Sequence, residues 1–168
     1  MPAPRASLAD IAGVWRSATS ARDDDAIVGM SLSLYVEDPG SRVVRASDVR
    51  RTLTRLRAEP ARGLAVVCDI VDPDGCACID GFALLCSFWS NELGGEVCTV
   101  DELYVGAAHR SRGLGSGLIR LLVQGRVPRF RDAVALELEV TPTNRRAHAL
   151  YERLGFRSRK NTTLRLRR

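Results

Sequence analysis

The hydrophobic residues between positions 63 and 105 are arranged as strands separated by turn-forming residues. Apolar runs at residues 64–71, 76–87 and 97–105 are interrupted by residues 72–75, with the sequence Asp-Pro-Asp-Gly, and by the polar residues 91–96. Short turns of this kind join consecutive antiparallel strands. The pattern therefore predicts three strands that pair with one another in chain order.

Hydrophobic spacing becomes helical after residue 113. The apolar positions that recur at helical intervals are Leu114, Leu118, Leu121 and Leu122. This helix runs to Gln124, because Gly125 and Pro128 follow it. Residues 134–140 then alternate apolar and polar side chains as a half-buried strand does. A strand, a helix and a strand of these lengths predict a parallel crossover connection.

The C-terminal residues predict one more helix and a last strand. Residues 144–154 place their apolar side chains on one helical face, and Gly155 with Phe156 fits a left-handed helix end. Leu164 and Leu166 mark the last strand. Together the elements predict an α+β fold in a single domain, residues 7–168. Its mixed, mostly antiparallel sheet has six to seven strands, and helices flank both faces.

The N-terminal third has a weaker pattern. Residues 7–10 can cap a first helix whose apolar face includes Leu8, Ile11 and Trp15. The acidic run Asp23 to Asp25 is interpreted as a solvated loop, with an outer ring of acids for a cationic substrate as the alternative. Residues 32–36 are interpreted as extended. A second helix starts at Ser47 or Asp48, with Val49, Leu53 and Leu56 as its buried positions.

Composition limits the class of protein. The chain has 168 residues, 45% of them hydrophobic, and a net charge of +5, which suits one globular domain with an anionic cofactor or a solvated basic surface. Its five cysteines lie in apolar runs and are expected to be buried and reduced. Cys76-x-Cys78 lacks the spacing and partner ligands of a zinc site, so no metal is expected. With no signal-peptide pattern and no membrane-spanning run, the cytoplasm is the expected location.

A glycine-rich turn joins the strand at residues 97–105 to the helix that follows. The turn and the start of the helix read Arg110-Ser111-Arg112-Gly113-Leu114-Gly115-Ser116. Glycines at a helix N-terminus let an anion approach free backbone N–H groups and the positive end of the helix dipole. A nucleotide-binding P-loop would need Gly-Lys-Ser/Thr, and a dinucleotide fingerprint would need G-x-G-x-x-G; neither is present. The sequence therefore predicts a phosphate-binding turn of another kind.

Two spaced motifs resemble the GNAT superfamily of N-acetyltransferases. Arg110-x-x-Gly113-x-Gly115 resembles the first signature of that family, and residues 144–156, with Asn144, Tyr151 and Phe156, resemble the second. The resemblance covers residues 63 to 157 well. It implies acetyl-CoA as the cofactor, CoA as a product, and a sheet that splays beside the fourth strand.

The resemblance also implies which residues bind the cofactor. Backbone groups near Leu103 and Val105 would pair with the pantetheine arm, the pyrophosphate would lie on the turn, and Asn144 and Tyr151 would contact the arm. The full predicted set is Leu103, Tyr104, Val105, Arg110, Ser111, Arg112, Gly113, Leu114, Gly115, Ser116, Asn144 and Tyr151. Arg110 and Arg112 would add charge-assisted hydrogen bonds.

Tyr151, Asp101 and Glu102 are the predicted catalytic residues. Tyr151 stands where the family keeps a general acid for the departing thiolate; its structural alternative is a core aromatic. Asp101 and Glu102 resemble the acidic pair of spermidine/spermine acetyltransferases, with Asp101 in the position of the base. In a regular strand the two carboxylates face opposite ways, so only one would enter the cleft. Histone-type relatives place their glutamate where this chain has Thr99.

The sequence thus predicts an N-acetyltransferase that acts on a small cationic amine, such as a polyamine or an amine-bearing antibiotic. Neither a membrane nor a nucleic acid is an expected partner, and a homodimer is left open. A protein N-terminus, a lysine or an aminoacyl-tRNA is an alternative acceptor. A non-catalytic acyl-CoA-binding module is the alternative from another class.

Overall fold

A computed structural model describes residues 14–40, 42–71, 75–160 and 164–166. Its sheet contains β1 (Trp15–Ser17), β2 (Gly63–Val71), β3 (Ala77–Ser90), β4 (Gly95–Val105) and β5 (Ala135–Leu138), in that spatial order. The first four strands pair antiparallel, and β5 runs parallel to β4. The described residues thus form five strands, so the predicted six to seven is wrong. Leu164 and Leu166 are exposed and lie outside any strand.

Within the described ranges, four α-helices cover the two faces of this sheet. They are α1 (Ala21–Glu37), α2 (Ala46–Ala58), α3 (Leu114–Val123) and α4 (Arg145–Arg153). On one face α1 and α2 bury an apolar cluster that includes Ile27, Leu53, Val67, Phe82 and Tyr104. On the other face α3 packs with Val66, Leu85, Cys98, Val100 and Phe130, and Tyr151 of α4 packs against that cluster. The predicted α+β architecture, with helices on both faces and a parallel crossover, is confirmed.

The position of α1 corrects two expectations. Ser20 caps it: the Ser20 hydroxyl accepts a hydrogen bond from the Asp23 N–H, and the Asp23 carboxylate accepts one from the Ser20 N–H, which is the capping-box arrangement. The acidic run therefore starts a helix and is not a loop. Residues 32–36 are helical and not extended.

Each acid of that run is paired with an arginine. Asp23 is buried and lies 2.9 Å from the Arg16 guanidinium. Asp24 and Asp25 pair with arginines of α2, Arg57 at 2.8 Å and Arg50 at 2.7 Å. These carboxylates hold α1 to β1 and α2, so the idea that they form an outer ring for a substrate is wrong.

Trp15 belongs to β1 and not to a helix. Residues 7–13, the rest of the predicted first helix, lie outside the described residues. The predictions for residues 46–58 and for Gly155 hold: Val49, Leu53 and Leu56 are buried, and Gly155 has a φ of +99°. Of the cysteines, Cys68 and Cys98 are buried, whereas Cys76 is exposed, contrary to expectation. Across the described ranges, no helix combines the length and apolar character needed to cross a bilayer.

Candidate active site

The glycine-rich turn ends at the N-terminus of α3. Gly113 is the capping residue of this helix and has a φ of +83°, a conformation that glycine adopts without strain. Because α3 begins at Leu114, the N–H groups of its first turn have no carbonyl of an earlier helical turn to bond. The Ser116 hydroxyl donates to the Gly113 carbonyl at 2.9 Å. The turn thus presents backbone donors and the positive helix end to one point.

Contacts with two strands hold the turn in place. The buried His109 has its Nδ1 2.5 Å from the Asp80 carboxylate of β3, and the Gly106 N–H donates to the Asp80 carbonyl at 2.8 Å. A Cβ at Gly106 would collide with that carboxylate, so a larger residue there would displace the Asp80 side chain from His109. The Trp15 indole N–H of β1 donates to the Leu114 carbonyl at 3.0 Å. These contacts fix the glycine-rich turn from within the protein.

A cleft opens beside this turn where β4 and β5 separate. The two strands pair from Val97 with Ala135 to Val100 with Leu138 and no further, so no described strand lies beside residues 101–105 on that side. The splay that the resemblance implied is present. The cleft widens into a cavity of about 790 Å³, which lies within the usual range for ligand-binding pockets.

This cavity brings together all but one of the predicted cofactor-binding residues. Its lining includes Leu103, Tyr104, Val105, Arg110, Ser111, Gly113, Leu114, Gly115, Ser116, Asn144 and Tyr151. Arg112 is exposed and is not in the lining. Gly115 faces the cavity wall, where a Cβ would lie 3.7 Å from Leu103 Cδ2.

Arg110 is held by neighbouring protein groups. Its Nε donates to the Val105 carbonyl at 2.7 Å, and its guanidinium lies 2.8 Å from the Glu37 carboxylate at the end of α1. The same guanidinium stacks over the Tyr104 ring, 5.1 Å from its centroid. Arg110 therefore ties α1 to β4, and it occupies one carbonyl of the strand edge that the sequence assigned to the pantetheine arm.

Two arginines of α4 line the cavity and were not singled out from the sequence. Arg146 donates to the Ser111 hydroxyl at 2.7 Å, and Arg153 lies on the same lining. Both occur in the helix predicted to follow Asn144, so their alignment beside the turn was open to prediction from helical spacing. With Arg110 they give this cavity three guanidinium groups.

Asn144 and Tyr151 line the cavity and also stabilise α4. The Asn144 side chain caps the helix by accepting a hydrogen bond from the Ala147 N–H at 3.1 Å. The Tyr151 ring packs edge-on against Phe156 with centroids 5.7 Å apart. Burial raises the pKa of the Tyr151 phenol, so it is a proton donor at neutral pH. Packing and a cavity-facing position are thus compatible in Tyr151.

A bulge in β4 determines where Asp101 and Glu102 point. Val100 and Glu102 pair with consecutive residues of β3, which leaves Asp101 without a partner on that strand. Val100 packs in the cluster beneath α3, whereas Tyr104 packs beneath α1 and α2. The alternation of side chains therefore shifts by one residue at Asp101.

Because of this shift, both carboxylates lie on the α1 side of the sheet. Glu102 is hydrogen-bonded to α1 directly, and Asp101 follows a residue that faces the other way. Both charges also act on Cys86 of β3, where they and burial, the larger effect, raise the pKa of the thiol. The expectation that Asp101 and Glu102 face opposite ways is wrong, since it assumed a regular strand.

Two hydroxyl groups that sequence reasoning missed contact Glu102. The Tyr35 hydroxyl donates to Glu102 Oε1 at 2.6 Å, and the Ser31 hydroxyl donates to Oε2 at 3.1 Å. Asp23, Ile27, Ser31 and Tyr35 follow one another in steps of four, a helical signal that was available in the sequence. Burial raises the pKa of Glu102, and the two hydrogen bonds oppose that rise.

Asp101 has a different environment. Its side chain is exposed to water at the point where the strands separate, and no hydrogen bond to it is found among the described residues. Partial loss of hydration and then the carboxylate of Glu139 raise the pKa of Asp101, against the opposing charge of Arg165. The two neighbouring acids thus differ in how firmly the protein holds them.

The sequence profile of the Acetyltransferase (GNAT) family matches residues 15–156 of this chain. The chain belongs to the GNAT family of acetyltransferases. The match spans both the glycine-rich turn and the Tyr151 helix, so the family assignment covers the cavity. No curated protein sequence matches.

Solved structures share the GNAT fold with this chain at low sequence identity. An integron cassette protein from the mobile metagenome of Cole Harbour Salt Marsh is similar with a TM-score of 0.74 and 21% identity, covering 94% of this chain and 91% of its own. A possible acetyltransferase from Clostridium difficile 630 has a TM-score of 0.71 and 18% identity, covering 92% and 97%. A ribosomal-protein-alanine N-acetyltransferase from Brucella melitensis biovar Abortus 2308 has a TM-score of 0.62 and 20% identity, covering 87% and 94%.

GNAT acetyltransferases use acetyl-CoA, and the residues present fit that molecule. The glycine turn offers backbone donors for a pyrophosphate, and the cavity beside it carries the guanidinium groups of Arg110, Arg146 and Arg153. Residues 101–105 of β4 present an edge that β5 does not cover. The backbone donors and guanidinium groups thus suit an anionic head, and the uncovered strand edge suits an extended amide arm.

Proposed function

We propose that this chain is an acetyl-CoA-dependent N-acetyltransferase whose acceptor is a small cationic amine, such as a polyamine or an amine-bearing antibiotic. The observation that carries the proposal is the bulge at Asp101. It puts two adjacent carboxylates on one face of β4, at the point where β4 leaves β5. Such a pair of anions, next in sequence to residues 103–105 that line the cavity, attracts an ammonium group and supplies a base for it.

The cofactor-binding side of the proposal rests on the turn and the β4 edge. Acetyl-CoA supplies an acetyl group activated as a thioester. Gly113 and Gly115 let the pyrophosphate lie against the N–H groups of α3, while Arg146 and Arg153 provide charge beside it. Tyr151 holds a proton at its hydroxyl within the same cavity. The chain thus offers a donor for the leaving sulfur and a seat for the anionic part of the molecule.

The acceptor side rests on the need for an uncharged amine. A primary alkyl amine has a pKa of about 10.4, so only about one molecule in a thousand is nucleophilic at neutral pH. Asp101 is exposed to water and makes no hydrogen bond within the described ranges, which suits a group that must take up and release a proton. Glu102 supplies a second negative charge beside it.

A competition assay tests the acceptor. Purified protein is given acetyl-CoA with an equimolar mixture of diamines, polyamines, aminoglycosides, neutral amino acids, an N-terminal peptide and an aminoacyl-tRNA at physiological salt, and products are quantified by mass spectrometry. We expect the highest kcat/KM for diamines and polyamines. Preferred acetylation of the peptide or of the aminoacyl-tRNA would refute the substrate class, whereas release of no free thiol with any amine would favour a non-catalytic acyl-CoA-binding module.

A further inference from the structure

Helix α1 donates hydrogen bonds to the carboxylate of Glu102 and, within the described residues, none to that of Asp101. Each oxygen of Glu102 accepts a hydroxyl hydrogen bond from α1: Oε1 from Tyr35 at 2.6 Å and Oε2 from Ser31 at 3.1 Å. Ser31 is fully buried and Glu102 is half-buried. In the described part of the chain, Asp101 makes no such contact. Adjacent acids on one sheet face therefore have different freedom to move and to change charge.

The donors favour the ionised form of Glu102. A carboxylate accepts two hydroxyl hydrogen bonds without rearrangement, whereas a protonated carboxyl group would lose part of one of them. The negative charge of Asp101 acts in the opposite direction. Burial and the charge of Asp101 thus raise the pKa of Glu102, and the hydrogen bonds from Tyr35 and Ser31 lower it.

The charged and titratable groups around the pair come from every neighbouring element. Tyr35 belongs to α1, and Arg42, which follows α1 in the chain, acts on the Tyr35 phenol. Cys86 of β3 faces both carboxylates. Glu139, just after β5, and Arg165 act on Asp101. None of these groups donates a hydrogen bond to Glu102, so Tyr35 and Ser31 are its donors among the described residues.

From this geometry we propose that Tyr35, with Ser31, is a positioning residue that keeps Glu102 a fixed counter-ion for the acceptor's ammonium group and leaves the proton transfer to Asp101. The inference rests on the proposed function and divides its acidic pair into two roles. The bulge is needed for this division, because it places both carboxylates on one face of the sheet, where Glu102 is held by hydrogen bonds from α1 and Asp101 is not. A regular strand would turn one of them away.

In the proposed reaction, the acceptor's ammonium group loses two protons, and the sulfur that leaves the acetyl group gains one. The ammonium group gives one proton to Asp101 and becomes a neutral amine, whose lone pair forms the C–N bond to the acetyl carbon. The C–S bond breaks with its electron pair going to sulfur, and Tyr151 supplies the proton that completes the thiol. The nitrogen releases its second proton to water, Asp101 releases the first, and the phenol is reprotonated from water.

The first test needs no catalysis. Carboxyl ¹³C NMR titrations of the free, full-length protein follow Glu102 and Asp101 in the unmodified chain, Tyr35→Phe and Ser31→Ala. Loss of a donor to the ionised form should raise the pKa of Glu102 in both variants, more in Tyr35→Phe. Ser33→Ala is the matched control, because the Ser33 hydroxyl on the same helix donates to the Gly29 carbonyl instead. An unchanged Glu102 titration in Tyr35→Phe would overturn the positioning role whatever the enzyme does.

The second test separates the two acids by kinetics with a diamine. We expect Tyr35→Phe and Glu102→Gln to raise KM roughly tenfold with a small change in kcat, since each weakens the counter-ion for the ammonium group without removing the base. Asp101→Asn should lower kcat about a hundredfold or more and flatten the rising pH limb. A limb lost in Glu102→Gln and kept in Asp101→Asn would reverse the roles. An unmodified protein that acetylates no amine overturns the proposed function and this division together, even where the NMR shift is seen.

Discussion

Gly115 lies where α3 meets the wall of the cavity, and its backbone φ is not in the left-handed region. A Cβ there would have only ordinary contact with Leu103, 3.7 Å away. We therefore expect Gly115→Val to fold and to lose at least tenfold in CoA affinity, because the added side chain occupies the approach to the backbone N–H groups. Isothermal titration calorimetry with CoA measures this.

Gly113→Val tests the same turn less cleanly. Gly113 has a φ of +83°, and a β-branched residue in that conformation strains the backbone. Its unfolding free energy should fall along with CoA binding, whereas Gly115→Val should keep the stability of the unmodified chain. A Gly115→Val protein that binds CoA normally would contradict the placement of the pyrophosphate on this turn.

Tyr151 carries a hydroxyl with no hydrogen-bond partner among the described residues, at the edge of a well-packed ring. Tyr151→Phe keeps the ring and removes only the proton donor. We expect kcat to fall about a hundredfold, with the dissociation constant for acetyl-CoA within about twofold of the original, because general-acid catalysis typically contributes a factor of this size. Single-turnover kinetics beside equilibrium binding distinguishes the two effects. An unchanged single-turnover rate would leave Tyr151 with a packing role alone.

Helix α1 is anchored at its start by the buried carboxylate of Asp23, which pairs with Arg16. The Arg16 hydrogen bond holds the pKa of Asp23 well below its usual range, and N–H groups of Thr19 and Ser20 contribute further. Asp23→Ala leaves Arg16 without this partner and the helix without its capping box. Arg16 is partly exposed and keeps its second partner, Asp69, so we expect a loss of about 1–3 kcal/mol in unfolding free energy, from the capping box and the charged hydrogen bonds, measured by urea denaturation.

The matched control is Asp25→Ala, in the same turn of α1. Its ion pair with Arg50 is exposed, so the loss should stay below about 1 kcal/mol. The pH dependence follows from the lowered pKa of Asp23: its contribution is present above the ordinary aspartate pKa of about 3.9 and is lost progressively as the pH falls below that value. Unfolding free energy in the unmodified chain should therefore drop more steeply in acid than in Asp23→Ala. Equal slopes would show that Asp23 is not the group responsible.

How far the sequence predicts these elements depends on whether local signals agree with tertiary contacts. Strands β2 to β4, α2 and the glycine turn follow from periodicity and turn residues. Helix α1 was missed because three aspartates suggested a solvated loop, whereas Arg16, Arg57 and Arg50 neutralise them from distant positions. The strand number was overestimated because alternating Leu164 and Leu166 suggested pairing that the described residues do not make.

In the candidate site, too, the sequence predicted what local motifs determine and missed what tertiary contacts determine. The resemblance pointed to a set of residues of which all but Arg112 line one cavity, while their role in cofactor binding stays a prediction. It could not give the direction of Asp101 and Glu102, because a bulge is set by pairing with β3 and leaves no mark in the alternation of the strand itself. The hydrogen bonds of Tyr35 and Ser31 to Glu102 join residues that are 67 and 71 positions apart in the sequence. Sequence patterns could not predict them either.

Taken as one body, the chain supplies the cavity from strand β4 and three helices that are far apart in sequence. A ligand that contacts all of them binds the folded state alone and must stabilise it. At a CoA concentration a hundred times the dissociation constant, we expect about 2.7 kcal/mol of added stability and a rise in Tm of about 5–10 °C. Differential scanning calorimetry measures the shift. CoA at that excess with no shift would exclude binding to the folded chain.

The hydrogen bond from Trp15 to the Leu114 carbonyl gives the phosphate-binding turn an optical reporter. The chain has two tryptophans; Trp15 is buried against the start of α3, and Trp89 is 71% exposed on β3. In Trp89→Phe, therefore, all indole emission comes from a ring hydrogen-bonded to the carbonyl of Leu114, the first residue of the helix at whose N-terminus we propose that the pyrophosphate binds. Fluorescence titration of that variant with CoA should show a saturable change in intensity, so the state of the site can be followed in stopped-flow time without any label.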